Sequence, residues 1–148
     1  MIYLDANVVV AAVANSEVAE QVARLLRSRE VFYLSRLADY ETRKSVAGLG
    51  IAGGEERLNC LIRDKFSQGR EWESPILHAL KIARQFKARL AVDSADTLHV
   101  GWAMSIGAEI FASFDRDHGP RALALSVGLK LWPKPEPKDY EQMKRLKG

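Results

Sequence analysis

Four carboxylates fall where one edge of a sheet would collect them: Asp5, Glu41, Asp96 and Asp115. Asp5 follows the apolar triplet Ile2-Tyr3-Leu4, and Asp115 ends the run Ile110 to Phe114. Glu41 lies in a helix that follows a second β-rich run, and Asp96 opens the helix before Asp115's strand. In a doubly wound sheet, ligands bind beyond the carboxyl ends of the parallel strands. Four acids gathered there and partly desolvated would repel one another by on the order of several kcal/mol at an intermediate dielectric, and a cation has to offset that. Hard oxygen donors, with no cysteine or histidine set at zinc spacing, select Mg²⁺ or Mn²⁺. His78 falls in a separate helix, while His99 and His118 neighbour Asp96 and Asp115 without forming a zinc pattern.

Each acid also has a plainer reading. Asp5, ahead of Ala6-Asn7, can cap a helix beginning at Val8. Asp93 suits an N-cap, with Asp96 favouring the first turn that follows. Glu41 stands three residues before Lys44, the spacing of an exposed ion pair. Asp115-Arg-Asp117 has the make-up of an ordinary turn. His99 shares a helix face with Asp96 and Ala103 and reads first as a partly buried helix histidine, second as a group that orients that carboxylate or a substrate phosphate. The joint pattern carries more information than any single member.

The elements that must position these acids alternate between short β-rich runs and longer helical stretches, the signature of an α/β fold with a central parallel sheet flanked by helices on both sides. Strands are predicted at Ile2 to Leu4, Val31 to Ser35, Ile110 to Phe114 and Leu129 to Trp132; Leu90 to Val92 reads as a very short strand or an extended link. The first long helix runs from Ser16 to Ser28, with Val18, Val22, Leu25 and Leu26 at helical spacing, Glu17 and Glu20 early, and Arg24 and Arg27 late. Further helices are predicted from Leu37 to Ala47, Glu55 to Phe66, Ser74-Pro75 to Lys87, Asp93 or Asp96 to Ile106, and Gly119-Pro120 to Gly128, with a loop at Gly69 to Ser74. Residues 1–132 form one domain in this reading, and 133–148, proline-rich and charged, form a poorly anchored C-terminal tail.

With 148 residues, 16.5 kDa and 47% hydrophobic content, the chain fits one domain with one core. Cys60, the one cysteine, cannot form an internal disulfide, and a reducing cytoplasmic location is expected. The start carries no basic leader, and the longest apolar run, Val8 to Ala14, is too short to span a bilayer, so no membrane association is expected. Net charge is +3 and the pI about 9.1, compatible with an anionic partner without requiring one.

Taken in order, Leu4-Asp5-Ala6-Asn7-Val8, Tyr40-Glu41-Thr42-Arg43, Asp96-Thr-Leu-His-Val100, and Ser113-Phe-Asp115-Arg-Asp117 followed by Gly128-Leu129 resemble the motifs of PIN-domain ribonucleases, whose best-known small members are VapC-type toxins. The resemblance spans Met1 to Trp132. It implies a metal-dependent endoribonuclease whose Mg²⁺ or Mn²⁺ is held by Asp5, Glu41, Asp96 and Asp115, with Asp117 as an outer candidate. Asn7 matches a small polar position that orients the first aspartate, and Ser113 a polar residue just before the last. His118 stands where members carry an aromatic or apolar residue, and Gly101-Trp102 replaces small residues. The resemblance further implies cleavage to a 5′-phosphate and a 3′-hydroxyl, an RNA substrate, a small antitoxin that enters the acidic groove, and a homodimer.

Two rivals remain. Phosphoryl transfer to Asp5, as in haloacid-dehalogenase-like phosphatases, needs a second acid where Asn7 stands. A non-catalytic PIN-like RNA- or protein-binding module would not need all four carboxylates. Lys81, Arg84 and Lys87 recur at helical spacing and would track phosphates, although a solvated helix face explains them equally.

Overall fold

A computed structural model describes residues 1–86, 93–117 and 119–148. Five strands form one parallel sheet: β1 (Ile2–Leu4), β2 (Phe32–Tyr33), β3 (Phe66–Ser67), β4 (Ile110–Ala112) and β5 (Lys130–Trp132), in the spatial order β3-β2-β1-β4-β5. Tyr3 is the centre of the register, opposite Tyr33 on β2 and Phe111 on β4. The chain steps outward from β1 to β2 and β3, then returns to the other side of β1 for β4. Neighbouring connections therefore diverge at the carboxyl ends of β1 and β4, which makes that edge the switch point of the sheet.

Eight helices are described: α1 (Ala6–Val13), α2 (Ala19–Leu26), α3 (Arg36–Leu49), α4 (Gly54–Asp64), α5 (Glu73–Phe86), α6 (Ser94–Ser105), α7 (Pro120–Ser126) and α8 (Pro137–Lys147). Strand alternation divides the apolar side chains between two faces. Ile2 and Leu4 pack with Val8, Val22, Leu26, Val46 and Leu58 of α1 to α4. Tyr3 and Phe111 point the other way, into Ile82, Val100, Trp102, Leu123 and Leu146 of α5 to α8. Both faces of the sheet are covered, as a parallel sheet requires. No described helix is long and apolar enough to cross a membrane.

Gly101 and Trp102, unusual by resemblance, solve one packing problem together. A Cβ at Gly101 would lie 2.6 Å from the Ala79 backbone nitrogen and 2.8 Å from the Pro75 carbonyl, so only glycine lets α6 approach α5 this closely. Trp102 then fills the space beside the contact, edge-on to Trp72 at 4.6 Å, with its indole N–H donating to the Tyr33 hydroxyl at 3.3 Å.

Several boundaries move. The apolar run after Asp5 is a helix, α1, starting at Ala6 rather than Val8. Strand β2 is shorter than the run that suggested it, because Ser35 turns out of the sheet to cap α3, accepting from the Ala38 N–H at 3.0 Å. Strand β3 was expected as the end of a helix; two residues at a sheet edge are too few for a period-2 pattern. The link at Leu90 to Val92 lies outside the described residues.

The expectation of a poorly anchored tail needs correction. Residues 137–147 form α8, opened by a capping box between Glu136 and Asp139 with Pro137 at the first helical position, and closed by Lys144, Arg145 and Lys147 in the last turn. Leu146 is buried in the core. Asp139 forms a buried ion pair with Arg121 of α7, at 2.9 Å.

Candidate metal centre

Asp5 is the first residue beyond β1, and its N–H still donates to the Ala112 carbonyl of β4 at 2.9 Å, which ties its position to the central strand pair. The residue is 6% exposed, and its carboxylate is bonded at both oxygens. Oδ1 accepts from the Ala6 N–H at 2.7 Å, capping α1. Oδ2 accepts from Ser113 Oγ at 2.7 Å and from Asn7 Nδ2 at 3.1 Å. Helix cap and candidate ligand are thus one residue rather than alternatives. Asn7 spans the gap between β1 and β4, because its Oδ1 also accepts the Phe114 N–H at 2.9 Å.

Ser113 leaves β4 as its hub. Besides donating to Asp5, its Oγ accepts from the Asp115 N–H at 3.1 Å, so one hydroxyl orients the residues on both sides of the central strand pair. The expected strand to Phe114 stops at Ala112 for this reason: from Ser113 onward the backbone turns to serve the site.

Glu41 is delivered from α3 and held by His99 of α6. His99 is 2% exposed, deeper than the partly buried position expected of it. Its Nε2 lies 2.9 Å from Glu41 Oε1 and 3.7 Å from Asp5 Oδ1, and its Nδ1 lies 2.7 Å from the Tyr3 hydroxyl, itself 2.7 Å from Ser35 Oγ. A carboxylate only accepts, so Nε2 carries a proton. In the neutral ring the order of donors is then fixed: Ser35 to Tyr3, Tyr3 to His99, His99 to Glu41. Protonating the ring reverses the Tyr3 hydroxyl toward Ser35. Burial acts to lower the His99 pKa, but the Glu41 hydrogen bond and the charges of Asp5, Glu41 and Asp96 outweigh it and raise it. Burial also pushes the Tyr3 phenol well above its ordinary value, so it stays a hydroxyl.

Asp96 sits in the first turn of α6, and its N–H donates to the capping Asp93 carboxylate at 2.9 Å. Burial foremost, then the charges of Asp93, Asp115 and Asp5, pushes its carboxyl up to about 7. The fields of Asp115 and Asp5 therefore meet at Asp96, while Asp5 and Glu41 meet at His99. One ligand atom each from Asp5, Glu41 and His99 lie within 4.8 Å of one another. Asp117 points elsewhere: its carboxylate pairs with Lys138 of α8, although its N–H donates to Asp115 Oδ1 at 3.1 Å. His118 and Lys87 lie outside the described residues, and Lys81 and Arg84 are exposed on α5.

This donor set suits a hard divalent cation. Burial and then neighbouring charges already raise Asp96, and a cation at the cluster would relieve the second of these. Both ring nitrogens of His99 are engaged, so it acts as a support for Glu41, and the carboxylates are the donors that could hold a metal. Tyr3, Ser35, Arg121 and Asp139 were not singled out from the sequence. The contacts of the first two bridge 96 and 32 positions, beyond any local pattern. Glu136-Pro137-Lys138-Asp139, by contrast, is a legible helix start.

No curated protein matches the chain. The structure is similar to VapBC2 from Rickettsia felis, solved bound to a DNA fragment from their promoter, with TM-score 0.63, 15% identity, and 78% of this chain and 89% of that chain covered. It is also similar to FitAcB from Neisseria gonorrhoeae, with TM-score 0.61, 19% identity, and 88% and 96% covered. At such identities the likeness is one of fold. A family model for the PIN domain matches residues 2–122, which takes in β1 to β4 and all of Asp5, Glu41, Asp96 and Asp115, and the chain belongs to the PIN domain family.

Proposed function

We propose that the protein is a Mg²⁺- or Mn²⁺-dependent endoribonuclease and the toxin of a toxin–antitoxin pair. The observation that carries the reading is that Asp5, Glu41 and His99 bring one ligand atom each within 4.8 Å of one another, with the Asp96 carboxyl beside them raised to about 7 by burial and by the charges of Asp93, Asp115 and Asp5. Asp5, Glu41, Asp96 and Asp115 would hold the metal. When bound, such a metal supplies an acidified water and charge to steady the leaving oxygen of a phosphodiester. The chain's own part is positioning: Asn7 and Ser113 fix the Asp5 carboxylate, and His99 fixes Glu41. No side chain is needed as nucleophile, and Asn7 is bonded on both sides as a strut, which leaves phosphoryl transfer to Asp5 without its acid.

A small antitoxin partner is proposed from the resemblance to VapC-type toxins, and the fold shared with VapBC2 supports it. A homodimer is proposed on the same ground, and the exposed apolar strip of Trp72, just before α5, with Ile76, Leu77 and Leu80 of α5 gives a second copy a surface to cover.

The test is cleavage of end-labelled single-stranded RNA, with single-stranded DNA in parallel, in Mn²⁺ and in EDTA. Cleavage of RNA that stops in EDTA and is lost in Asp5→Asn is expected. RNA binding without cleavage in any metal would leave the binding-module reading. Cleavage in EDTA unaffected by Asp5→Asn would end the metal mechanism.

A further inference from the structure

Residues 123–148 lie beyond the PIN match, yet α8 is joined to the metal centre by a continuous line of hydrogen bonds. It starts at the capping box, where the Glu136 N–H donates to Asp139 Oδ2 at 2.8 Å. Asp139 takes the Arg121 guanidinium with both oxygens, Oδ1 from Nε at 3.1 Å and Oδ2 from Nη2 at 2.9 Å. Arg121 Nη2 also donates to the carbonyls of Pro133 and Lys134, at 3.0 and 3.3 Å. Its Nη1 donates to the Ser113 carbonyl at 2.7 Å, and Ser113 Oγ serves Asp5 and the Asp115 backbone. Arg121 is fully buried, so this fork has one geometry.

A second set of contacts grips the turn carrying Asp115 from outside. Arg116 pairs with Glu136 at 3.1 Å, Asp117 pairs with Lys138, and Gln142 donates to the Arg116 carbonyl at 3.2 Å. Each residue flanking Asp115 on its C-terminal side is thus tied to the first two turns of α8 or to its cap. A helix whose task was only to cover Leu129 and Leu131 would need Leu146 and Met143, at its far end, and none of these ties.

We propose that α8 is a clasp that sets the Ser113 to Asp117 turn, with Arg121, Asp139, Glu136 and Lys138 as positioning residues for Asp115 and hence for the affinity of the metal centre. The proposal rests on the metal reading above only in its last step; the grip on the turn stands without it. Partners that orient metal ligands from behind commonly change metal affinity by about 10- to 100-fold when removed.

The test uses the full chain and two variants: Asp139→Asn, which breaks the buried fork, and Glu136→Gln with Lys138→Gln, which removes the charge of two exposed pairs while Gln keeps an oxygen to accept in the capping box. Two quantities are read well below each variant's own melting temperature. Amide hydrogen exchange of residues 113–117 is measured without metal, and Mn²⁺ affinity is measured by titration of the free ion's paramagnetic signal. Exchange in the turn about tenfold faster, with Mn²⁺ bound about 10- to 100-fold more weakly and exchange in α1 and α3 unchanged, is the expected result. A helix that merely stabilises the fold would lower the melting temperature of Asp139→Asn while leaving turn exchange and Mn²⁺ affinity as in the wild type, and that outcome overturns the clasp. Wild-type protein that binds no Mn²⁺, with turn exchange still rising in the variants, keeps the clasp and removes the metal reading.

Discussion

At Arg121 the chain buries a guanidinium together with the carboxylate that neutralises it, and every nitrogen of the fork has a partner within the molecule. Around Asp5 it gathers acids instead, and burial together with the charges of Asp93, Asp115 and Asp5 pushes Asp96 up to about 7. The two sites share Ser113, which gives its carbonyl to the first and its hydroxyl to the second. The difference teaches where the protein is self-sufficient and where it depends on solution. A matched buried pair holds the fold in one geometry, whereas an acidic cluster adds to stability in proportion to the protons or cations it takes up from solution.

Breaking the matched site should have the largest effect. Asp139→Ala leaves the Arg121 charge buried and unpaired, and a loss of about 3–5 kcal/mol is expected in urea unfolding. Burial alone would raise the Asp139 carboxyl, but the Arg121 and Glu136 hydrogen bonds hold it below the ordinary value. Its contribution is therefore present above the ordinary carboxyl range and is lost as pH falls through the folded value. Replacing both partners at once, Arg121→Met with Asp139→Leu, should recover much of the loss; a double variant no better than the single would mean that packing around Asp139, not charge, holds α8.

At the acidic cluster a deletion should have the opposite sign. Without metal, Asp96→Asn should raise the melting temperature, by less than Asp139→Ala lowers it, because it removes one of several repelling charges. Between the ordinary carboxyl value of 3.8 and about 7, the folded protein holds a proton at Asp96 that the unfolded chain has released. Stability from this group is complete below that window and is lost as pH rises through about 7. Melting curves in EDTA from pH 4.5 to 8 should show this fall in the wild type and a flatter profile in Asp96→Asn. Excess Mn²⁺ should then reverse the ranking, since the wild type binds it better. A wild type whose melting ignores Mn²⁺, with Asp96→Asn no more stable, would make Asp96 an ordinary first-turn acid.

The smallest effect is expected at the exposed pair of Lys138 and Asp117, where Lys138→Gln should change stability by less than about 1 kcal/mol. A larger loss in urea unfolding would show that the grip on the turn is also a main support of the fold.

Much of this frame is legible in the sequence because it is local. The apolar triplet before Asp5, the run before Asp115 and the Asp93 to Asp96 helix start each lie within a few residues, and the structure puts Asp5 just past β1, Asp115 in the turn three residues past β4 and Asp96 in a first turn. What could not be read is long-range or disguised. His99 is one of three histidines until Tyr3 and Glu41 meet it from other elements. Arg121 reads as one charge in a short helix, and only the packing of α8 shows it fully buried. The tail was judged by composition, and its prolines and charges hid a capped helix whose first-turn Asp139 serves both the capping box and Arg121.

The central strand pair joins the beginning of the chain to its later part, since the hydrogen bond from Ser113 to Asp5 spans 108 positions. Closing so long a loop comes late in folding, because its entropy must be overcome before the contacts it permits are made. On the ribosome, Asp5 waits for β4 to emerge, and the fork on Asp139 closes only when α8 has left the exit tunnel. The acidic cluster therefore cannot assemble before β4 has been made, and any activity it supports begins no earlier.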